Sequence, residues 1–255
     1  MREFIVFCFL LSLISCTNNK SVFVSLKKNK TQINFQNNLT STADLNILNY
    51  LYYYNGAGVA AADFNNDGLA DLYFTGNQTE DKLFLNLGGL QFKDITKEAH
   101  INNPLPWTTG VTIVDINNDG FLDIYICKLG KHNSITGKNL LYLNQGLDKN
   151  GIPVFKESAS LFGLDIVSLA TQAVFFDYDK DGDLDFFLMN HSLNSNSNYG
   201  KGVVRRQVDE MSGDKLYENI QGTYVDVSTQ SGIFQGKIGY GLGVSIGDVT
   251  NDGYP

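Results

Sequence analysis

The sequence predicts an all-β fold made of repeated four-stranded antiparallel units. Three observations predict it. A motif D-x-[DNT]-x-D-G recurs four times, in GVAAADFNNDGLADLYF (58–74), GVTIVDINNDGFLDIYI (110–126), AVFFDYDKDGDLDFFL (173–188) and GVSIGDVTNDGYP (243–255). The runs on either side of it are short, apolar and rich in β-branched and aromatic residues, too short and wrongly spaced for helices. A second pair of strand signals follows each of the first three copies. The first Asp of each copy falls at 63, 115, 177 and 248, so the periods are 52, 62 and 71, lengths that mark a repeat architecture.

Taken in chain order, the N-terminus comes first. MREF is followed by IVFCFLLSLI, an apolar run too short to span a bilayer and suited to a secretory signal. The run ends in LISC (13–16), which resembles the bacterial lipobox, with cleavage before Cys16 and lipid attached to it. Residues 1–15 are therefore expected to be a lipoprotein signal peptide, and 16–30 a lipidated N-terminus and linker. Residues 31–255 would hold the repeats: a lead-in, three full copies and a truncated fourth. By resemblance to known lipoproteins, the absence of Asp next to Cys16 favours outer-membrane sorting. Cys8 would be removed, leaving Cys127 without a disulfide partner; within DIYICK it reads as a small packing residue.

Each repeat opens with a hairpin. The runs VAAA, VTIV and VFF precede the acidic loop, and LYF, IYI and FFL follow it. These runs are apolar on both faces, so both faces are expected to be covered by neighbouring sheets. A second hairpin follows, in KLFLNLGGLQFKDIT (82–96), in NLLYLNQG with PVFKESA (139–159), and in KLYENIQGTYVDVS (215–228). Glycine stands at each turn, as tight hairpins require.

The loop chemistry points to a cation. In copy one Asp63, Asn65 and Asp67 occupy positions 1, 3 and 5, with Asp71 at 9 and the Leu69 carbonyl available at 7. Copy two offers Asp115, Asn117, Asp119 and Asp123 with the Phe121 carbonyl. Copy three offers Asp177, Asp179, Asp181 and Asp185 with the Asp183 carbonyl. Copy four offers Asp248, Thr250 and Asp252 with the Tyr254 carbonyl, and its closing position lies past Pro255. Alternate positions can turn oxygens inward while glycine at position 6 permits the sharp turn. Hard oxygen donors in this number suit Ca²⁺ better than Mg²⁺. An EF-hand would close with Glu at position 12 between helices, whereas position 12 here is Phe74, Ile126 or Leu188 inside a strand run. A catalytic carboxylate pair would be expected once, not in every repeat.

These motifs resemble FG-GAP or VCBS-type repeats over residues 31–255. The stretches YNGAGVAAADFNNDGLADLYFTGN and WTTGVTIVDINNDGFLDIYIC are similar to bacterial relatives of cartilage acidic protein, although the ASPIC/UnbV segment of that family is not in this sequence. The resemblance implies a β-propeller with one four-stranded blade per repeat and calcium in the first hairpin. Propellers close with 4–8 blades, so three full repeats imply part of a longer chain.

In such a blade the loops between strands 2 and 3 lie on the face opposite the metals. From the first Asp to Asn86, Asn144 and Asn219 in strand three the distances are 23, 29 and 42. From each Asn to the next first Asp they are 29, 33 and 29, so length varies mainly in one loop per blade. Variable loops on a rigid scaffold favour recognition. The candidate ligand face includes Trp107, His132, His191, Arg205 and Arg206. Trp107 reads first as packing at the entrance to a strand and second as a sugar platform. The histidines lack metal spacing, and the Arg pair is either solvated or a grip for an anionic glycan or protein. Tyr50–Tyr54 is expected to pack under the lead-in.

Net charge is −8, and thirteen of the 27 acidic residues lie in the four copies, without which the chain would be net positive. The acidity belongs to the loops, and it argues against a nucleic-acid partner. No nucleophile–base pairing, zinc spacing or phosphate loop appears. The expected function is thus a calcium-stabilised, non-enzymatic binding module for a glycan or protein, held at the cell envelope by a lipid anchor in the membrane. The alternatives are part of a propeller enzyme acting on polysaccharide or phosphoester, and an incomplete chain with no activity of its own.

Overall fold

A computed structural model describes residues 22–103, 107–193 and 204–255. The signal peptide and Cys16 lie outside the described residues. Three four-stranded antiparallel sheets follow one another along the chain. Blade 1 comprises β1 (Val59–Ala62), β2 (Asp71–Phe74), β3 (Lys82–Asn86) and β4 (Phe92–Asp94). Blade 2 comprises β5 (Thr108–Val114), β6 (Asp123–Lys128), β9 (Leu140–Leu147) and β10 (Pro153–Glu157), with a small hairpin of β7 (Lys131–His132) and β8 (Ile135–Thr136) inserted before β9. Blade 3 comprises β11 (Ala170–Phe176), β12 (Asp185–Asn190), β13 (Lys215–Ile220) and β14 (Thr223–Asp226). The β7–β8 hairpin is an addition that composition did not signal.

The first strands of successive blades lie side by side, as in a propeller arc. Thr109 Oγ1 and Thr112 Oγ1 on β5 donate to the Ala170 and Ala173 carbonyls of β11 at 2.8 and 2.6 Å. Gly58 and Gly110 permit this approach. A Cβ on Gly58 would stand 2.9 Å from the Val111 backbone nitrogen, and one on Gly110 2.3 Å from the Thr171 carbonyl oxygen.

The core lies between blades. Tyr73, Leu83, Ile95, Ile124, Ile126 and Tyr142 fill the space between blades 1 and 2. Tyr125, Cys127, Leu141, Phe186, Leu188 and Tyr217 fill that between blades 2 and 3. The Cys127 thiol is buried in this packing. Every residue of β6 is buried, because blade 2 has a neighbour on both faces. Strand β1 alternates between exposed and half-buried, with Val59 62% exposed, because blade 1 is flanked by a blade on one side only. Cover on both faces thus holds for the middle blade and fails at the end of the arc.

The lead-in follows blade 1. Residues 32–40 alternate exposed and half-buried, and Phe35 stacks on Phe74 with ring centroids 5.1 Å apart. Asn37 and Asn77 exchange hydrogen bonds, as do Thr40 and Gln78. The fourth copy differs from expectation. Its acidic loop is folded, but no strand forms in residues 241–255. A strand needs a hydrogen-bonding partner, and this sequence holds no second arm for that hairpin.

Candidate metal centre and the opposite face

The four acidic loops fold alike. Position 4 takes the left-handed backbone in each, with φ of 58° at Asn66, 55° at Asn118, 67° at Lys180 and 58° at Asn251. Glycine follows two residues later, with φ of 85°, 84°, 97° and 85° at Gly68, Gly120, Gly182 and Gly253. These two turns curl the chain around the side chain at position 1. Gly68, Gly120, Gly182 and Gly253 donate their N–H groups to Asp63, Asp115, Asp177 and Asp248 at 2.7, 2.9, 3.1 and 2.6 Å. The N–H groups of Leu69, Phe121, Asp183 and Tyr254 donate to the position-5 carboxylates Asp67, Asp119, Asp181 and Asp252. Thr250 adds a side-chain bond to Asp252.

The closing carboxylates Asp71, Asp123 and Asp185 are buried. One oxygen of each accepts from the backbone of Phe64, Ile116 or Tyr178, at 3.0 Å in all three. The other accepts from the backbone of Asn86, Asn144 or Asn219, at 2.8, 2.8 and 2.9 Å. The closing Asp therefore joins the acidic loop to strand three of its own blade. The same Asn residues donate their side-chain amides to the Ala70, Leu122 and Leu184 carbonyls and accept from Gly88, Gly146 and Gly222 in the second turn. They do more than mark the repeat: they clamp the two hairpins together. Asn144 also bonds the Phe64 carbonyl of blade 1 at 2.9 Å. Replacing Asn144 with Ala is expected to cost about 1–3 kcal/mol, since it strands buried polar partners. Urea unfolding checks this, and Asn86→Ala, which clamps only its own blade, should cost less.

The residues present fit a hard cation. In loop three Asp177, Asp179 and Asp185 each offer a carboxylate oxygen, and all lie within 4.8 Å of one another. Asp177 Oδ1 and Asp183 Oδ1 are buried without a hydrogen-bond partner. Asp183 therefore turns a side-chain oxygen out of water as well as offering the carbonyl expected of position 7. In loops one and two the position-3 residue is Asn65 or Asn117, whose amide donates to Asp67 or Asp119 at 2.9 Å. Burial pushes the carboxyls of Asp71, Asp123 and Asp185 up to about 6, against the lowering effect of their backbone hydrogen bonds. A positive ion in the loop would oppose that rise. Neighbouring loops touch: Asn66 donates to the Gly120 carbonyl at 3.1 Å, and the Lys180 ammonium sits 3.7 Å from the Tyr254 ring centroid.

The opposite face is not an open row of loops. Tyr50, Tyr52 and Tyr53 lie across it and pack with Trp107, Leu129 and Leu169. Trp107 is 1% exposed, with Tyr50 edge-on at 5.5 Å and Tyr53 at 5.4 Å. His191 is fully buried, stacked on Tyr52 at 4.2 Å. Its Nδ1 bonds Thr171 Oγ1 at 3.1 Å and its Nε2 bonds the Tyr50 hydroxyl at 3.2 Å. His132 is half-buried against Tyr50 at 5.3 Å. The structure thus gathers Trp107, His132 and His191 under tyrosines; Trp107 and His191 are buried but line a cavity of about 290 Å³ together with Tyr50, Tyr52 and Thr171. Arg206 is exposed, and the side chain of Arg205 lies outside the described ones.

A cleft of about 660 Å³ opens on this face between Gln78–Lys82 and the crossover at Thr96–Asn103. Asp81 closes its floor and is 2% exposed. Asp81 accepts from the Gly76 N–H at 2.9 Å, Tyr73 Oη at 3.1 Å, Asn103 Nδ2 at 2.6 Å and Thr108 Oγ1 at 3.3 Å. Lys128, fully buried on blade 2, donates to Asn103 Oδ1 at 2.7 Å and Thr108 Oγ1 at 3.3 Å. Burial lowers the Lys128 ammonium to about 8 and raises the Asp81 carboxyl, so desolvation outweighs their mutual attraction at both ends. Asp81 and Lys128 carry no motif, and sequence reading passed over both.

Residues 63–126 match the family model for an FG-GAP-like repeat. The chain is 29% identical over 136 residues to cartilage acidic protein 1 of Homo sapiens and to that of Mus musculus, across 52% of this chain and 20% of each relative. It is 25% identical over 138 residues to cartilage acidic protein 1 of Xenopus tropicalis, across 54% of this chain and 20% of that protein. The match thus spans about one-fifth of the length of these curated relatives.

Proposed function

We propose that this chain is a calcium-stabilised binding module of a bacterial envelope lipoprotein, anchored through Cys16 at the outer membrane. It takes a glycan or protein on the face opposite the acidic loops. The observation that carries the metal half is the convergence of the Asp177, Asp179 and Asp185 oxygens beside unpartnered oxygens of Asp177 and Asp183. Bound Ca²⁺ would supply positive charge that neutralises each loop. The chain's own residues fix the loop: position 1 is held by the glycine N–H, and the closing Asp by strand three.

The cleft beside Asp81 supports the ligand half. Its walls are the β2–β3 loop and the crossover into blade 2, connections free to vary without disturbing the sheets. Glu80, Lys82, Lys97, His100 and Asn102 line it, a set of donors and acceptors suited to hydroxyl-rich or peptide ligands.

Screening the protein against envelope glycans and peptides, then titrating the best ligand, tests the site. Lys97→Ala with Asn102→Ala should weaken that ligand about tenfold or more, since each removes a polar partner worth about 1 kcal/mol. An unchanged Kd would rule out the cleft. Turnover of a polysaccharide by the purified protein would overturn the binding reading itself.

A further inference from the structure

We infer that residues 22–30 are a membrane-contact surface, in which Val22, Phe23, Val24 and Leu26 enter the headgroup boundary of an anionic bilayer and Lys27, Lys28 and Lys30 meet its phosphates. The inference deepens the lipid-anchor reading of Cys16 and rests on it. Val22, Phe23 and Val24 are 91%, 89% and 74% exposed, and Leu26 is 41% exposed. Among the described residues the group Ile47, Leu48, Leu51 and Tyr54 spreads over eight positions, whereas here four exposed apolar residues fall within five.

Charge complementarity selects the occupant. No Asp or Glu occurs between Glu3 and Asp44, yet that interval holds Lys20, Lys27, Lys28 and Lys30. The chain carries −8 overall, so the basic segment adjoins a strongly acidic body. An anionic lipid surface attracts the first and repels the second, which orients the acidic loops away from the bilayer. Lys28 Nζ also donates to Asn34 Oδ1 at 2.5 Å, which holds it near the start of the lead-in.

Tether length keeps the segment close to the bilayer. Six residue steps separate Cys16 from Val22, at most about 20 Å of extended chain. With the lipid in the bilayer, the apolar quartet is therefore confined to its surface at high effective concentration. The other end is fixed as well, since Thr31 is buried and Phe35 stacks on blade 1.

Two measurements test this separately from the anchor. The mass of the N-terminal peptide from membrane-extracted protein reports acylation of Cys16. The mature chain carrying Cys16→Ser is then mixed with vesicles of phosphatidylcholine alone or with added phosphatidylglycerol. The expected result is binding about tenfold or more tighter to the anionic vesicles, abolished by high salt. It should also fall about tenfold or more in a variant with Val22, Phe23, Val24 and Leu26 all changed to Ser. Those positions are exposed, so the variant should melt like the parent, which rules out misfolding. Equal binding to both vesicles, or unchanged binding by the Ser variant, overturns the inference even if Cys16 is acylated. Self-association lost in the Ser variant without vesicle binding overturns it too. An unacylated Cys16 removes the anchor, and the vesicle result then stands on its own.

Discussion

Chelating calcium is expected to lower the melting temperature of the purified protein by about 8–32 °C. The figure follows from mass action. A site with Kd about 10⁻⁴–10⁻³ M, typical of extracellular calcium modules, gains about 1.4–2.7 kcal/mol at about 10 mM calcium. Three complete loops then supply about 4–8 kcal/mol, and each kcal/mol moves the midpoint by about 2–4 °C in a chain of this size. Loop three should contribute most, because Asp177, Asp179, Asp181, Asp183 and Asp185 all lie in it and two of their oxygens are buried without partners. Asp179→Ala should therefore remove more of the calcium increment than Asn65→Ala. Scanning calorimetry with EDTA and with restored calcium checks the claim, and an unchanged midpoint would sink it.

Acidity should act in the opposite direction on the metal-free protein. Asp71, Asp123 and Asp185 are raised to about 6 in the folded chain, above the 3.8 of the free side chain. The folded state therefore holds more protons than the unfolded one between about pH 4 and 6, and stability from these groups falls as pH rises through that window. Metal-free protein should melt higher at pH 5 than at pH 7. The calcium increment should be larger at pH 7, where the carboxylates are charged.

Asp81→Ala is expected to destabilise the chain by about 1–3 kcal/mol, the cost of leaving buried donors without their acceptor. Tyr73, Asn103, Thr108 and Gly76 would all lose their acceptor, and the Lys128 ammonium would lose the favourable field of the carboxylate. Lys128 already lies at about 8, below the 10.5 of a free lysine. The folded state thus binds fewer protons than the unfolded between about pH 8 and 10.5, and stability from Lys128 rises with pH across that window. Loss of Asp81 should move the window lower, so mildly alkaline buffer should recover part of the deficit. Asp81→Leu combined with Lys128→Met should recover only the share due to the lysine charge, since Tyr73, Gly76, Asn103 and Thr108 still lack their acceptor. Urea titrations of Asp81→Leu, Lys128→Met and the double variant give the coupling directly. A cost below about 1 kcal/mol for Asp81→Ala would show the pair to be incidental.

The acidic loops were legible in the sequence because their geometry is local. Six consecutive residues set the turn, and glycine with Asn66, Asn118 or Asn251 announces the left-handed positions. The fourth loop shows how local this is, since it adopts the same hydrogen bonds with no strand in residues 241–255. Lys180 was the exception: it takes the same backbone as those asparagines without their chemical signal. The clamp between closing Asp and strand-three Asn was not legible, because its partners lie 15, 21 and 34 residues apart. Periodicity marked the Asn but could not say what it holds.

The opposite face shows the same division at longer range. Tyr50 lies 141 residues from His191, and no spacing rule brings them together. Aromatic bulk instead decides their meeting: Tyr50, Tyr52 and Tyr53 can leave water only by covering the end of the inner strands, where Trp107 and His191 already stand. By itself the sequence determined the repeat, the four-stranded unit and the acidic turn of each copy, because each rests on neighbours within one turn or one strand. Tertiary structure decided which polar residues face water and which are consumed in packing. Burial is a property of how blades and lead-in stack, and that stacking couples residues whose separation along the chain carries no pattern.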